Sequence, residues 1–346
     1  MGNVVRFAAV NTKIKSLEGK FLKDEDYLEL LKKKSIPEMV LYLKEKTSYG
    51  KLLNSVKPEE ANGRTLENAL RRNMVKIIDK LLFYLNDEYR DFVKTLFLKY
   101  EIEDLKNLAR DIYNVRTERT IENYSFIGKY SKADPERLIK ARTIRDFILA
   151  LEGSEIYDYL KPLLDGKREN LFRLEMALDT AYFTIIRRKW EKLSGEDKKV
   201  LSLWEGMVAD LYNLQWIYRG KKFYNLSAEE ILNYTIDFGY KINFKKRKEM
   251  CYAKDLNEVF NIAEKEGYGF LFKKDAQQDI YMERRINRFL YFKFKNLTRA
   301  APLTIIQIVS YIWFLDFEIR DIISIAESLK YEIDLETAKK FLIRPL

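Results

Sequence analysis

The chain has 346 residues, of which 47% are hydrophobic and 34% charged, with a net charge of +10, one cysteine and no histidine. The lack of histidine excludes histidine-dependent catalytic triads and metal sites, and a single cysteine excludes an internal disulfide. The 13 glycines and 6 prolines are few, which favours long helices over sandwiches or barrels, and we predict an all-α protein.

Helical periodicity runs through the first third of the chain, over residues 4–22, 27–31, 36–47, 65–85 and 87–100. Ser35 can cap the third of these helices, and Pro37 is expected at its first position, where the missing N–H costs nothing. The residues Ser48, Tyr49 and Gly50 should end that helix, and residues 57–63 should form a loop.

The same order recurs in the second third of the chain. Gly166 precedes a predicted long helix over residues 171–193, residues 194–197 should form a turn, and a helix over residues 200–219 should end at Gly220. Counterparts 108 residues apart pair Ile36, Met39, Val40, Leu43 and Tyr49 with Ile144, Phe147, Ile148, Leu151 and Tyr157.

The last third is less regular. Residues 256–260 resemble residues 36–40 after about four extra residues, and Tyr268 takes the place of Tyr49. A long helix is predicted from Asp279 to Lys295, and Pro302 should open the next one. Short closing helices should be capped at Ser227 and Asp334. The apolar run 301–315 is shorter than the roughly 20 residues of a membrane span, so we expect a buried helix.

Two motifs recur in the same order along the chain. The first contains Glu67, Glu175 and Glu283, each 108 residues after the one before. The second comprises residues 101–105, 210–214 and 318–322. This spacing predicts three copies of one helical unit of about 108 residues. We place the units at residues 1–119, 120–228 and 229–346.

The second motif carries an acid on an apolar stripe. At 100° per residue, Ile102, Leu105 and Leu108 span about 120°, and Glu101 falls inside that stripe. Asp210 and Glu318 occupy the same place in their copies. A carboxylate on an apolar face is costly unless it is paired or hydrogen-bonded.

Three interpretations of these acids follow. Each acid caps a helix or pairs with a buried cation inside its unit, or the acids line a concave surface that receives a partner, or they transfer protons. Arg110 and Arg219 lie about 140° from the stripe and should face solvent or a partner, whereas Glu327 replaces them in the third copy. The candidate partner-binding residues are Glu101, Asp104, Arg110, Asp210, Asn213, Arg219, Glu318 and Asp321. We expect Glu67, Glu175 and Glu283, at the flanks of their stripes, to form salt bridges to the next helix or unit.

Other functions find less support in the sequence. The net charge of +10 makes a basic helical-repeat scaffold for nucleic acid the alternative function. That function requires the densest basic run, Lys245 to Lys248, to merge with other basic residues into one stripe. There is no phosphate-binding loop, we expect no cofactor, and an enzyme that uses paired carboxylates is a third hypothesis. The tryptophans fall within apolar faces and should be core residues: Trp190, Trp204, Trp216 and Trp313.

Nearly the whole chain resembles the C subunit (called d in eukaryotes) of the archaeal and vacuolar-type rotary ATPase. The chain departs from the repeated pattern at Arg285, where the other copies have Ala69 and Ala177, and at Glu327. The resemblance rests on residues 26–31, Ser35 with Glu38, Leu43, residues 47–50, the threefold acidic motif with Arg110 and Arg219, and residues 316–325 and 334–342.

The resemblance implies a fold and a role. The fold would be an all-helical funnel of three units around a pseudo-threefold axis. The funnel would lie on the cytoplasmic face of the membrane, without a transmembrane segment of its own. It would be a non-catalytic socket between central-stalk subunits D and F and the proteolipid rotor ring, and would transmit torque between ATP turnover and H⁺ or Na⁺ transport.

Overall fold

The computed structural model describes residues 3–116, 118–165, 170–272 and 281–346. Within these ranges the regular elements are all helices, as predicted. Gly166 and Asp279, two positions used in the predictions, lie outside the described residues. In chain order the α-helices are α1 (Asn3–Glu18), α2 (Asp24–Leu31), α3 (Ile36–Lys46), α4 (Gly63–Leu82), α5 (Asp87–Tyr113), α6 (Pro135–Ile139), α7 (Ile144–Ala150), α8 (Tyr157–Leu160), α9 (Leu171–Trp190), α10 (Gly195–Lys222), α11 (Ala228–Tyr234), α12 (Phe244–Tyr252), α13 (Leu256–Lys265), α14 (Met282–Ala300), α15 (Ile306–Lys330) and α16 (Leu335–Phe341).

Three short helices occupy the same place in the three predicted copies, and each has a side-chain cap. Ser35 accepts from the N–H of Glu38 before α3, and Thr143 accepts from the N–H of Asp146 before α7. Asp255 caps α13 in the same way. A side-chain oxygen at the N-cap satisfies a backbone donor that has no partner inside the helix. The predicted caps at Ser227 and Asp334 are also confirmed.

Several predicted helix boundaries are wrong, for local reasons. Pro37 is the second residue of α3. Gly195 begins α10, so residues 195–197 are helical, and Gly220 lies inside that helix. A side chain at Gly220 would place its Cβ 2.9 Å from Cγ1 of Ile231, so the glycine permits close packing of α11. Pro302 lies in a turn four residues before α15.

The helices pack into two compact units, Met1–Leu85 with Leu271–Leu346, and Asn86–Phe270. In the first unit α15 is central and contacts α1, α2, α3, α4, α14 and α16. In the second unit α5 packs along α9, and α10 contacts α9, α11, α12 and α13. The three-copy division at residues 1–119, 120–228 and 229–346 remains a prediction, and so does a pseudo-threefold funnel.

The apolar predictions hold in the described residues, except at Trp216. The apolar run enters α15, whose residues 306–313 are all buried. None of the helices in the four described ranges has the length and hydropathy of a membrane span. Trp190, Trp204 and Trp313 are core residues, whereas Trp216 is half-buried beside the ring of Phe183.

Candidate functional site: three loop anchors

Glu101 on α5 is fully buried and holds a loop. Its Oε1 accepts hydrogen bonds from the N–H of Gly128 (2.8 Å) and from the hydroxyl of Ser131. Its Oε2 accepts from the N–H groups of Tyr130 (2.8 Å) and Ser131 (3.0 Å). One turn further along α5, Asp104 accepts from the N–H of Phe126 at 2.8 Å. Two carboxylates thus fix residues 126–131 through backbone donors.

Asp210 on α10 holds a second loop. Its Oδ2 accepts from the N–H of Lys241 (2.7 Å) and the hydroxyl of Tyr268 (2.9 Å), and its Oδ1 accepts from the N–H of Ile242 (3.2 Å). Any side chain at Gly239 would clash with Oδ1 of Asp210 and lie 2.7 Å from the carbonyl oxygen of Ile242. Glycine is therefore required where this loop passes the carboxylate.

Asn213 follows Asp210 by one turn, as Asp104 follows Glu101. Its Oδ1 accepts from the N–H of Ile236 at 2.7 Å, and its Nδ2 donates to the carbonyl oxygen of the same residue at 3.1 Å. The amide therefore satisfies both backbone groups of one residue, which a carboxylate could not do.

Glu318 on α15 makes the third set of bonds. It accepts from the N–H of Leu22 at 2.8 Å and from the hydroxyl of Tyr49 at 2.6 Å. One turn on, Asp321 accepts from the N–H groups of Ile343 (2.6 Å) and Arg344 (3.0 Å). Here the donors come from two distant parts of the sequence.

The repeated acids are hydrogen-bonded, but not inside the predicted helical units, so that interpretation is wrong. Glu101 binds residues 128–131 of the second predicted unit, Asp210 binds residues 241, 242 and 268 of the third, and Glu318 binds Leu22 and Tyr49 of the first. Their partners are loop N–H groups and hydroxyls, not helix ends or buried cations. The tyrosine equivalence is confirmed for Tyr49 and Tyr268, since each donates to its acid. In the first copy Ser131 supplies the hydroxyl. A carboxylate that receives several donors is well suited to anchoring a chain segment.

Burial shifts the protonation of these acids. Desolvation raises the pKa of Glu318 to about 7, against the lowering effect of the Tyr49 hydroxyl and the Leu22 N–H. Desolvation likewise raises the pKa of Asp321 to about 7 and raises that of Asp210. In each case loss of hydration opposes the charged form and outweighs the hydrogen bonds that favour it.

Salt bridges link the first motif to neighbouring helices in two copies. Glu175 on α9 pairs with Arg110 on α5 at 2.7 Å, and Glu283 on α14 pairs with Arg320 on α15 at 3.2 Å. These confirm the predicted contacts to another helix. Glu67 instead pairs with Arg71, one turn on within α4, at 2.7 Å.

The eight candidate residues fall into two groups. Six are buried: Glu101, Asp104, Asp210, Asn213, Glu318 and Asp321. Arg110 is exposed and Arg219 half-buried, in line with the expectation that both face outward. Direct contact with a partner remains a prediction for all eight, and the geometry favours the two arginines for it.

Arg285 and the basic run at residues 245–248 each occur in only one of the predicted copies, and both make contacts within the protein. Arg285, which replaces an alanine, donates to the carbonyl oxygen of Leu271 at 3.1 Å. The basic run lies on α12, where Arg247 is buried and donates to the carbonyl oxygen of Ile242. Lys246 pairs with Glu266 at 2.6 Å. Two of the four cations are thus engaged internally, so the run does not form one free basic stripe. In the part of the chain that the structure describes, no cluster of metal-ligating side chains occurs.

Comparison with known proteins decides the family. A family model described as "ATP synthase (C/AC39) subunit" matches residues 10–341. The chain belongs to this family. It is the family of the C subunit of archaeal and vacuolar-type ATPases, as the sequence resemblance predicted.

Curated relatives agree with the family assignment. The C subunit of the A-type ATP synthase from Methanosarcina mazei is 25% identical over 88% of this chain and 84% of its own length. The protein of the same name from Methanocaldococcus jannaschii is 25% identical over 97% of this chain and 86% of its own length. That of Methanosphaera stadtmanae is also 25% identical, over 92% and 82%.

The main residues that the sequence did not reveal are the donors. Ser131 lies 30 residues after Glu101, and Leu22 lies 296 residues before Glu318. No periodicity connects a helix position to a distant loop. The one available signal was the acid inside an apolar stripe, which required donors without identifying them.

Proposed function

We propose that this chain is a non-catalytic rotor component of an archaeal-type ATPase or ATP synthase. Its three helical units form a funnel that receives the foot of the central stalk, subunits D and F, and rests on the proteolipid ring. The protein works at the cytoplasmic face of the membrane as a peripheral component. It links ATP hydrolysis or synthesis to H⁺ or Na⁺ transport by transmitting torque.

The observation that carries this proposal is the threefold loop anchor in a member of the C/AC39 family. Each long second-motif helix, α5, α10 and α15, binds loops through a buried acid and a polar side chain one turn later. Hydrogen bonds between a buried acid and several donors hold a loop in one geometry. A part that transmits torque needs helices and loops that do not shift under load.

Co-purification tests the proposal. The full-length chain, tagged at its C-terminus, is mixed with detergent extracts of membranes whose ATPase complex has been depleted of its native copy of this protein. We expect D, F and the ring proteolipid to be captured together, and ATP-driven ion transport to be restored. Capture of none of these proteins by a folded chain would overturn the assignment.

The predicted stalk contact has a narrower test. The double variant R110A/R219A removes the two outward cations of the second motif, and R137A/R142A removes two exposed arginines on and after α6. We expect weaker binding to purified D–F complex for the first pair only. Because Arg110 pairs with Glu175, circular dichroism of both variants must show unchanged helix content. Equal affinities would exclude these arginines from the contact.

A further inference from the structure

The third anchor, formed by Glu318 and Asp321, differs from the other two because the backbone groups it binds come from two separate parts of the chain. Residues 126–131, on Glu101 and Asp104, belong to one uninterrupted segment, and so do residues 236–242, on Asn213 and Asp210. Glu318 and Asp321 instead bind Leu22 and residues 343–344, which no local peptide segment joins. The third loop is thus assembled from two separate stretches of the chain.

Two arginines add further contacts to these stretches, and those of Arg344 join the two stretches directly. The guanidinium of Arg344 donates to the carbonyl oxygen of Leu22 at 2.7 Å and pairs with Asp24 at 2.8 Å. From α14, Arg288 donates to the carbonyl oxygens of Leu342 (2.8 Å) and Ile343 (3.2 Å). All of these links are non-covalent.

We propose that Glu318 and Asp321 form a proton-operated clasp, which closes the C-terminal segment against the turn at Leu22 when the pair holds a proton and loosens when the proton leaves. This goes beyond the proposed rotor role and does not depend on it. The clasp comprises Glu318, Asp321, Leu22, Tyr49, Ile343 and Arg344.

The geometry decides which acid takes the proton. Both donors to Asp321 are backbone N–H groups, which cannot become acceptors. The Tyr49 hydroxyl on Glu318 can rotate and accept. Glu318 therefore holds the proton, and its O–H can donate to Tyr49 while its other oxygen accepts from Leu22. Neutralising one acid also removes the repulsion between two buried like charges.

The groups around Glu318 and Asp321 leave the clasp to respond to pH in the neutral range. Around the clasp, burial raises the pKa values of Tyr27, Tyr49 and Tyr311, so these stay neutral there. The charged groups of the neighbouring elements include Arg288, Arg344, Asp24 and Glu18. Against the lowering effect of burial, the neighbouring Tyr27, Tyr291 and Asp24 raise the pKa of Arg344. The two acids, with pKa values of about 7, are left as the groups that titrate.

These pKa shifts favour the closed clasp at low pH. A carboxyl whose pKa is higher in the closed form than in the open form favours closure below its closed-form pKa, and loses that contribution as pH rises through it. For one carboxyl with a pKa of about 7 when closed and an ordinary pKa when open, the ratio of closed to open forms falls about tenfold from pH 6 to pH 8.

Hydrogen–deuterium exchange of the full-length chain tests the clasp. Amide protection in peptides covering residues 20–27 and 335–346 is measured at pH 6 and pH 8 and corrected for intrinsic exchange rates. We expect about tenfold higher protection at pH 6 in both peptides. The continuous loop at residues 126–131 reports any general effect of pH and should change less than twofold.

The variant E318Q isolates the titrating group. The glutamine amide can accept from Leu22 through its oxygen and donate to the Tyr49 oxygen, so it imitates the protonated acid. We expect wild-type protection at pH 6 and a smaller loss at pH 8 than in the wild type, because Asp321 remains as the one titrating acid of the clasp. E101Q serves as the matched control and should keep the wild-type response of the clasp peptides. Protection in wild type that is independent of pH, or a full pH response in folded E318Q, would overturn the proposal.

Discussion

Removing the Glu101 carboxylate should release the loop at residues 126–131 and lower the free energy of unfolding. The change E101A leaves three N–H groups, those of Gly128, Tyr130 and Ser131, without their acceptor. Each buried donor left unsatisfied costs about 1–3 kcal/mol. Water that reaches the partly buried loop recovers some of that, so we expect a loss of about 3–5 kcal/mol in unfolding free energy.

Two control variants, the isosteric E101Q and the surface variant E88A, show how much of the loss in E101A comes from the buried hydrogen bonds. In E101Q the amide oxygen can still accept from Tyr130 and Ser131, but the amide nitrogen cannot accept from Gly128, so we expect a loss of about 1–3 kcal/mol. E88A removes an exposed carboxylate from the first turn of the same helix and should cost less than about 1 kcal/mol through the helix dipole.

Urea denaturation followed by circular dichroism gives the unfolding free energies, and hydrogen exchange over residues 126–131 shows whether the loop itself is released. Because the chain has two compact units, transitions monitored by different probes must coincide before a single free energy is quoted. An E101A protein within about 1 kcal/mol of wild type, with the loop still protected, would refute the assignment of Glu101 as an anchor.

Two further predictions concern the second compact unit. G239A should lower the free energy of unfolding by about 2–4 kcal/mol in the same denaturation assay, because its Cβ would clash with Asp210. G19A is the control, since its Cβ would lie 3.8 Å from the nearest atom, and it should be neutral or slightly stabilising. Burial raises the pKa of Glu205 to about 8, so its contribution to stability is present at acid pH and lost as pH rises through 8. E205Q should therefore flatten the fall in melting temperature between pH 6 and pH 9, and an unchanged slope would show that Glu205 does not titrate there.

The sequence predicted the helices and the position of the acids because both depend on local pattern. A period of 3.6 residues located α4, α5, α9 and α15, and the same period placed Glu101 on the buried face. Caps such as Ser35 were predictable because a side-chain oxygen acts within three residues of its own position.

The parts that failed depend on tertiary contacts. Gly220 is a residue type that often ends a helix, but it lies within α10, where its lack of a side chain leaves room for Ile231. Glu67 was expected to form a salt bridge to the next helix or unit, but it pairs with Arg71, one turn on in its own helix. The donors to Glu318 could not be predicted, because a carboxylate specifies that a partner is needed but not which residue supplies it.

The discontinuous third anchor has a mechanical consequence. Peptide bonds run through the loops on Glu101 and Asp210, so pulling on those loops strains covalent links. The junction at Glu318 is instead crossed by non-covalent contacts, namely hydrogen bonds, the Arg344–Asp24 ion pair and the Arg344 guanidinium over the Tyr27 ring. A single molecule stretched between Leu22 and Arg344 should yield at low force, in one early step. A cysteine pair placed across that junction would replace these non-covalent contacts with a covalent link.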